Sequence, residues 1–192
     1  VGAGGLGFHH VRILRDLPGV RFAGFFEQHE PRRAQVAAEL GVPAFDTLDA
    51  LLDAVDALTI VVPTPAHHAV ARAALARGKH LLIEKPITAT LAEADELLAL
   101  AEANGALVQT GHVERFNRAI RAALPYVEAP RFIESDRLAP FSLRGSDVAV
   151  VLDLMIHDID LVRTLVGSQV HEVRATGVPV LTPTVDMANA RL

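Results

Sequence analysis

The chain has 192 residues, 51% of them hydrophobic and 21% charged, with a formal net charge of -5 and no cysteine. This composition excludes a disordered chain and gives no basic surface for general nucleic-acid binding. It also removes disulfides, thiolate catalysis and cysteine-held zinc or iron–sulfur sites. No run approaches the roughly 18 apolar residues of a membrane span, so neither a membrane nor a nucleic acid is expected as a partner. Val1 closes an apolar stretch and 186–192 alternates like a strand that continues, so a longer parent protein is expected.

Taken in order, residues 1–7 read Val-Gly-Ala-Gly-Gly-Leu-Gly and lead into a helical pattern through Leu17. Gly2, Gly4 and Gly7 form G-x-G-x-x-G. The first glycine serves a tight turn, the second lets a pyrophosphate approach the backbone, and the third allows close helix–strand packing. Gly5 and Leu6 lie in the same loop. Short apolar runs follow at 21–26, 57–62, 80–83 and 106–110, separated by helical patterns at 30–40, 66–77 and 91–103. Gly41, Gly78 and Gly105 stand just past those helices, where a left-handed terminus favours glycine. Strands alternating with helices mean βαβ units and a parallel sheet covered on both faces.

Glu27 ends the second strand-like run, 20 positions after Gly7. A carboxylate there accepts the ribose hydroxyls of NAD and repels a 2′-phosphate. Its other reading is a residue that merely opens the next helix, and Arg32 and Arg33 close by leave NADP open. Two lysines stand beside sixteen arginines. Lys85, in Glu84-Lys85-Pro86, falls at the carboxyl edge of the sheet, where open α/β sheets bind ligands; the alternative is a plain loop charge. Lys79, beside Gly78, reads as a helix-end surface charge.

After Gly111 the rhythm changes. A helix is expected over 115–124, a strand over 131–137, a helix over 148–166, and strands over 168–176 and 185–192 with no helix between them. That is the start of an α+β domain with a mainly antiparallel sheet, which divides the chain into an α/β part over 1–111 and a second, differently built part over 112–192. At α-helical spacing Asp153, His157 and Asp160 share one face, with Asp158 off it. A histidine beside a carboxylate is the usual proton acceptor near neutrality. A structural His–Asp pair is the other reading. A metal is not expected, since no third ligand stands at characteristic spacing.

Together these motifs resemble the Gfo/Idh/MocA oxidoreductases. The resemblance rests on Gly2 to Gly7 with His10, Pro63-Thr64 with His67, Glu84-Lys85-Pro86, Gly111-His112 with Arg115-Phe116-Asn117, and Asp153-x-x-x-His157-Asp158-x-Asp160. It implies an α/β NAD(P)-binding Rossmann domain, a doubly wound parallel sheet, over 1–111, followed over 112–192 by an incomplete α+β substrate and oligomerisation domain with a large, mainly antiparallel sheet. It also implies a cytoplasmic NAD(P)-dependent dehydrogenase of a sugar or sugar nucleotide, expected to be a homo-oligomer when full length. By resemblance Lys85, Asp153 and His157 are catalytic and the Lys85–Pro86 bond is cis. Pro63, Thr64, His67, Glu84, Lys85 and Arg115 line the cofactor with Gly2, Gly4, Gly5, Leu6, Gly7 and Glu27, and His112 reaches cofactor or substrate. His9, His29, His68, His80 and His171 are left as structural or surface residues.

The run from Arg137 through Pro140, Arg144 and Asp147 into His157 is similar to the UDP-N-acetylglucosamine 3-dehydrogenase branch, which makes a 3-keto sugar nucleotide for lipid A synthesis. In that reading Arg137 and Arg144 meet the substrate phosphates; ordinary surface arginines are the alternative. The rivals are a dehydrogenase of a free polyol or inositol, and an NAD-binding sensor or scaffold without turnover.

Overall fold

The computed structural model describes residues 1–140 and 148–192. They form two compact units, Val1–Gly111 and His112–Leu192.

In the first unit the order is α1 (Gly5–Arg15), β1 (Phe25–Phe26), α2 (Glu30–Leu40), β2 (Ala44–Phe45), α3 (Leu48–Ala54), β3 (Ala57–Ile60), α4 (Thr64–Leu75), β4 (His80–Glu84), α5 (Leu91–Ala103) and β5 (Val108–Gly111). β1 pairs with β2, β3 with β4 and β4 with β5, all parallel. Residues 1–3 bridge the two sets. Gly2 N donates to Phe26 O at 2.9 Å, while Val61 N donates to Val1 O at 2.9 Å. The spatial order is therefore β2–β1–(1–3)–β3–β4–β5, a doubly wound sheet whose direction of winding reverses between residues 1–3 and β3. That reversal is where such sheets bind dinucleotides.

Two apolar clusters hold the helices against the sheet. One joins Leu52, Ile60, Leu75, Leu81, Ile83 and Leu97 with the small residues of α4 and α5. The other joins Ala3, Val11, Phe25, Val36 and Val42. Gly41, Gly78 and Gly105 have φ of 63°, 67° and 61°, the left-handed terminus expected of them. Two elements have no counterpart in the sequence reading, β2 and α3. α3 is only seven residues long, too short to display a periodic face, and begins on a Thr47 hydroxyl that accepts Ala50 N–H at 3.1 Å. The strand expected over 21–26 is paired only at Phe25 and Phe26.

The second unit contains a 3₁₀ turn (Val113–Phe116), α6 (Arg118–Ala123), a second 3₁₀ turn (Leu124–Tyr126), a π turn (Val151–Met155), α7 (Ile156–Val166), and the antiparallel pair β6 (Arg174–Val178) and β7 (Met187–Arg191). The helix expected over 115–124 is thus split, and β6 begins six residues later than the strand expected from Ser168. Residues 131–137 join no ladder among the described residues; Ser135 and Arg137 reach a helix side chain instead. None of the described residues of this unit is fully buried, and Phe132, Leu138 and Met187 stand well exposed. A two-stranded sheet has too little face to bury a core of its own.

Candidate active site

The glycine loop follows directly from residues 1–3. Gly2 has φ of 83°, and a Cβ there would lie 2.5 Å from Val61 O; a Cβ on Gly7 would lie 2.2 Å from Gly2 O. Neither position admits a side chain. Gly4 is different: nothing lies within 4 Å of its would-be Cβ, and as the N-cap of α1 it supplies no side-chain cap. The amides of the first turn, Gly5 and Leu6 among them, therefore face an open approach with the positive end of a helix behind it, and a pyrophosphate fits there. Leu6 is itself 43% exposed.

Glu27 follows β1. Its Oε2 accepts Ala3 N–H at 2.7 Å and its Oε1 accepts His29 N–H at 3.0 Å. Both oxygens are pinned to the main chain and each keeps further accepting capacity for a ribose hydroxyl. The neighbouring arginines are occupied. Arg32 donates to Ala3 O at 2.8 Å and to Gln35 and lies over the Phe8 ring. Arg33 donates to Glu27 O at 3.0 Å and to Asp46. An engaged pair of guanidinium groups beside a fixed carboxylate suits NAD better than NADP. Replacing Glu27 by Ala should weaken NAD by about 10–100-fold, the worth of a charged hydrogen-bond partner, and raise the relative affinity for NADP. Calorimetric titration with both cofactors measures it, and an unaltered preference would return Glu27 to a helix-start role.

At the carboxyl ends of β3 and β4 stand the next residues. Pro63 is the N-cap of α4 and Thr64 its first residue. His67, on the same helix, is only 1% exposed, with Nδ1 2.8 Å from Pro86 O and Nε2 2.9 Å from Val62 O. Glu84 ends β4 and is buried opposite Gly111, where a Cβ would come within 2.8 Å of its carboxylate. That carboxylate accepts from Lys85 N and lies 3.1 Å from His10 Nε2 of α1. Burial pushes the Glu84 carboxyl up, but the His10 hydrogen bond and charge, with Lys85 beside it, outweigh burial and hold it below the usual carboxylate range. The Lys85–Pro86 peptide is cis.

A lowered pKa in the folded state stabilises the fold fully above the unfolded value and is lost as pH falls through the folded one. Replacing His10 by Ala should leave the buried Glu84 carboxylate short of a partner and cost about 1–3 kcal/mol at neutral pH. Urea unfolding of the two proteins should converge in acid, where Glu84 is protonated in both; a constant difference across pH would detach His10 from Glu84. Sequence reasoning singled out Glu84 but not the His10–Glu84 pair, and Gly111 only as part of a motif. The one legible signal was a glycine closing a strand where no turn is needed.

In the second unit Arg115 grips both oxygens of Asp160, with Nε to Oδ2 at 2.7 Å, and His112 Nδ1 lies 3.9 Å from the same carboxylate. Arg137 grips Asp158 in the same way, at 2.7 and 3.1 Å, with the Ser135 hydroxyl donating to it at 2.9 Å. Burial pushes both carboxyls up, and the bonds from Arg137 and Ser135, or from Arg115, overcome it and bring them below the usual range. Asp158 is thus paired rather than solvated, while Arg115 and Arg137, expected on cofactor and substrate, each have a guanidinium edge committed to α7. The uniform α-spacing expected over 148–166 begins only at Ile156. Asp153 sits in the wider π turn before it, and His157 is the second residue of α7. Such turns are found often at functional sites. Arg144 lies outside the described residues. Of the remaining histidines, His68 pairs with Glu96 and His80 accepts Leu107 N–H.

Comparison with known proteins bears on this arrangement. The family model described as "Oxidoreductase family, NAD-binding Rossmann fold" (GFO_IDH_MocA) matches residues 1–112. The chain belongs to the Gfo/Idh/MocA family. Among its relatives, UDP-N-acetylglucosamine 3-dehydrogenase of Acidithiobacillus ferrooxidans is 43% identical over 99% of this chain and 60% of its own length. A solved structure of that enzyme superposes with a TM-score of 0.90, at 44% identity over 98% of this chain and 60% of the other. An inositol 2-dehydrogenase of Leifsonia xyli is 33% identical over 90% of this chain and 54% of its own length. The chain thus spans little more than half of the curated relatives it matches. The relatives are dehydrogenases acting on hydroxyl groups, and the NAD-binding Rossmann architecture of the family is the one built here from residues 1–111.

Proposed function

We propose that this chain carries the cofactor and proton-transfer machinery of an NAD-dependent dehydrogenase that oxidises the 3-hydroxyl of UDP-N-acetylglucosamine to a ketone. The observation that carries the reading is the 43% identity to UDP-N-acetylglucosamine 3-dehydrogenase, sustained over 99% of this chain. The glycine loop with Glu27 supports it from the cofactor side.

NAD, when bound, supplies the acceptor for the hydride that leaves the substrate carbon. The chain's own residues do the rest. The amides at Gly4 to Leu6 hold the pyrophosphate, and Glu27 holds the adenosine ribose. His157 takes the hydroxyl proton as the C–H bond breaks, so that the carbinol becomes a carbonyl and one proton is carried off by imidazole. Lys85 donates a hydrogen bond to the same oxygen, which lowers the cost of the negative charge it acquires, and Asp153 orients the donor and acceptor. Arg137 and Arg144 are assigned to the substrate diphosphate, for which Arg137 must share or exchange its hold on Asp158.

A second reading, oxidation of a free inositol, has the support of the Leifsonia relative. Growth of NADH absorbance, followed in the full-length protein with UDP-N-acetylglucosamine, myo-inositol and simple hexoses side by side, separates the two. Turnover of the sugar nucleotide alone is the expected result. Turnover of inositol alone would replace the substrate and strip Arg137 and Arg144 of their role, and NAD binding without turnover of any of them would favour a sensor.

A further inference from the structure

β3 and β4 are hydrogen-bonded neighbours, with Ile60 opposite Ile83, and their carboxyl ends reach the same edge of the sheet. Just past that edge each strand runs into a proline, at Val62-Pro63 and at Lys85-Pro86. A proline has no N–H, so these segments are short of main-chain donors and must be held largely through their carbonyls. One ring meets both. His67 Nδ1 lies 2.8 Å from Pro86 O and Nε2 lies 2.9 Å from Val62 O, and the residue is 1% exposed. A carbonyl oxygen only accepts; a neutral imidazole donates to one of the two, and a doubly protonated ring to both. In either state the polar atoms of the ring are turned to the main chain and away from solvent.

We propose that His67 is a positioning residue that ties the loop following β3 to the turn that carries Lys85, and that it does not itself touch the cofactor. The inference rests on the dehydrogenase reading above, in which Lys85 acts on the reacting oxygen. Lys85 stands one residue before the carbonyl that His67 holds. Farther along, the Thr88 hydroxyl donates to Thr90 O at 2.8 Å, closing the other end of the turn. Between these two ties the turn has little freedom. The loop of Pro63 and Thr64 is held from the opposite side of the same ring, so the spacing of the two segments is set before any ligand binds. A misplacement of about 1 Å at a reacting group is enough to cost about 10²-fold in rate.

The test uses the full-length protein and three variants. His67→Leu has no donor. His67→Asn places an amide nitrogen near that of Nδ1 and keeps the bond to Pro86, whereas His67→Gln reaches the position of Nε2 and keeps the bond to Val62. Two readouts are taken: amide hydrogen exchange at 62–66 and 85–89 without cofactor, and kcat with KM for NAD. His67→Leu is expected to speed exchange in both segments, lower kcat by about 10²-fold and raise the KM for NAD. His67→Asn should recover protection at 85–89 and most of kcat; His67→Gln should recover protection at 62–66 and the KM. Unchanged exchange in His67→Leu would overturn the proposal, as would Asn and Gln variants that lose kcat and KM in the same proportion as Leu. If His67→Leu does not fold, the split between Asn and Gln decides. Absence of turnover in the unmutated protein would count against the dehydrogenase reading alone, because the exchange data still decide whether His67 joins the two segments.

Discussion

Alanine at Lys85, or at His157, should lower turnover of the full-length protein by about 10²–10⁴-fold while NAD affinity stays within a few-fold of the original. Each change removes one side of the proton bookkeeping at the substrate oxygen and leaves the glycine loop and Glu27 untouched. Lys85→Arg should recover little, since a planar fork cannot reproduce a compact ammonium group on one oxygen. Steady-state rates with the sugar nucleotide, set beside calorimetric NAD binding, measure both quantities. Undiminished kcat in either variant would remove that residue from the mechanism, and a parallel loss of NAD affinity would make it a binding group.

Two glycines of one loop should respond to the same substitution in opposite ways. Gly7→Ala forces a methyl group against Gly2 O, at 2.2 Å in the unrelaxed geometry. The loop and α1 must separate, at a cost of about 1–3 kcal/mol of stability, and NAD binding falls with it. Gly4→Ala meets no protein atom within 4 Å and has an ordinary backbone φ of -61°. It should leave the fold within about 1 kcal/mol of the original, yet weaken NAD by about 10²-fold, because the methyl group occupies the approach of the pyrophosphate. Thermal unfolding and NAD titration of the two variants give the comparison. Original NAD affinity in Gly4→Ala would move the phosphate site away from this loop.

Much of the first unit was legible because parallel βαβ units write themselves locally. The runs at 57–62 and 80–83, the helices at 30–40 and 91–103, and the glycines at 41, 78 and 105 each carry their own period or cap. β2 and α3 were not, since two and seven residues are too few for a period to stand out. In the second unit the expected strand at 131–137 has the right composition and no ladder among the described residues, since a strand exists only where a partner offers its edge. The π turn at Val151–Met155 likewise leaves the residues of 148–166 in an ordinary apolar pattern while changing the winding beneath Asp153.

The sequence by itself determined the family, the parallel sheet and the glycine loop, because each depends on residue type at a short fixed spacing, and it named Glu27, Lys85, Asp153 and His157 as the groups to test. Only the tertiary structure decided which partners those groups hold. Glu84 meets His10 of α1, 74 positions away, and Asp160 meets Arg115, 45 positions away. His67 takes the carbonyls of two proline segments at once. Those pairings come from how strands and helices converge, and a donor and acceptor far apart in the chain leave no periodic mark by which the sequence could announce them.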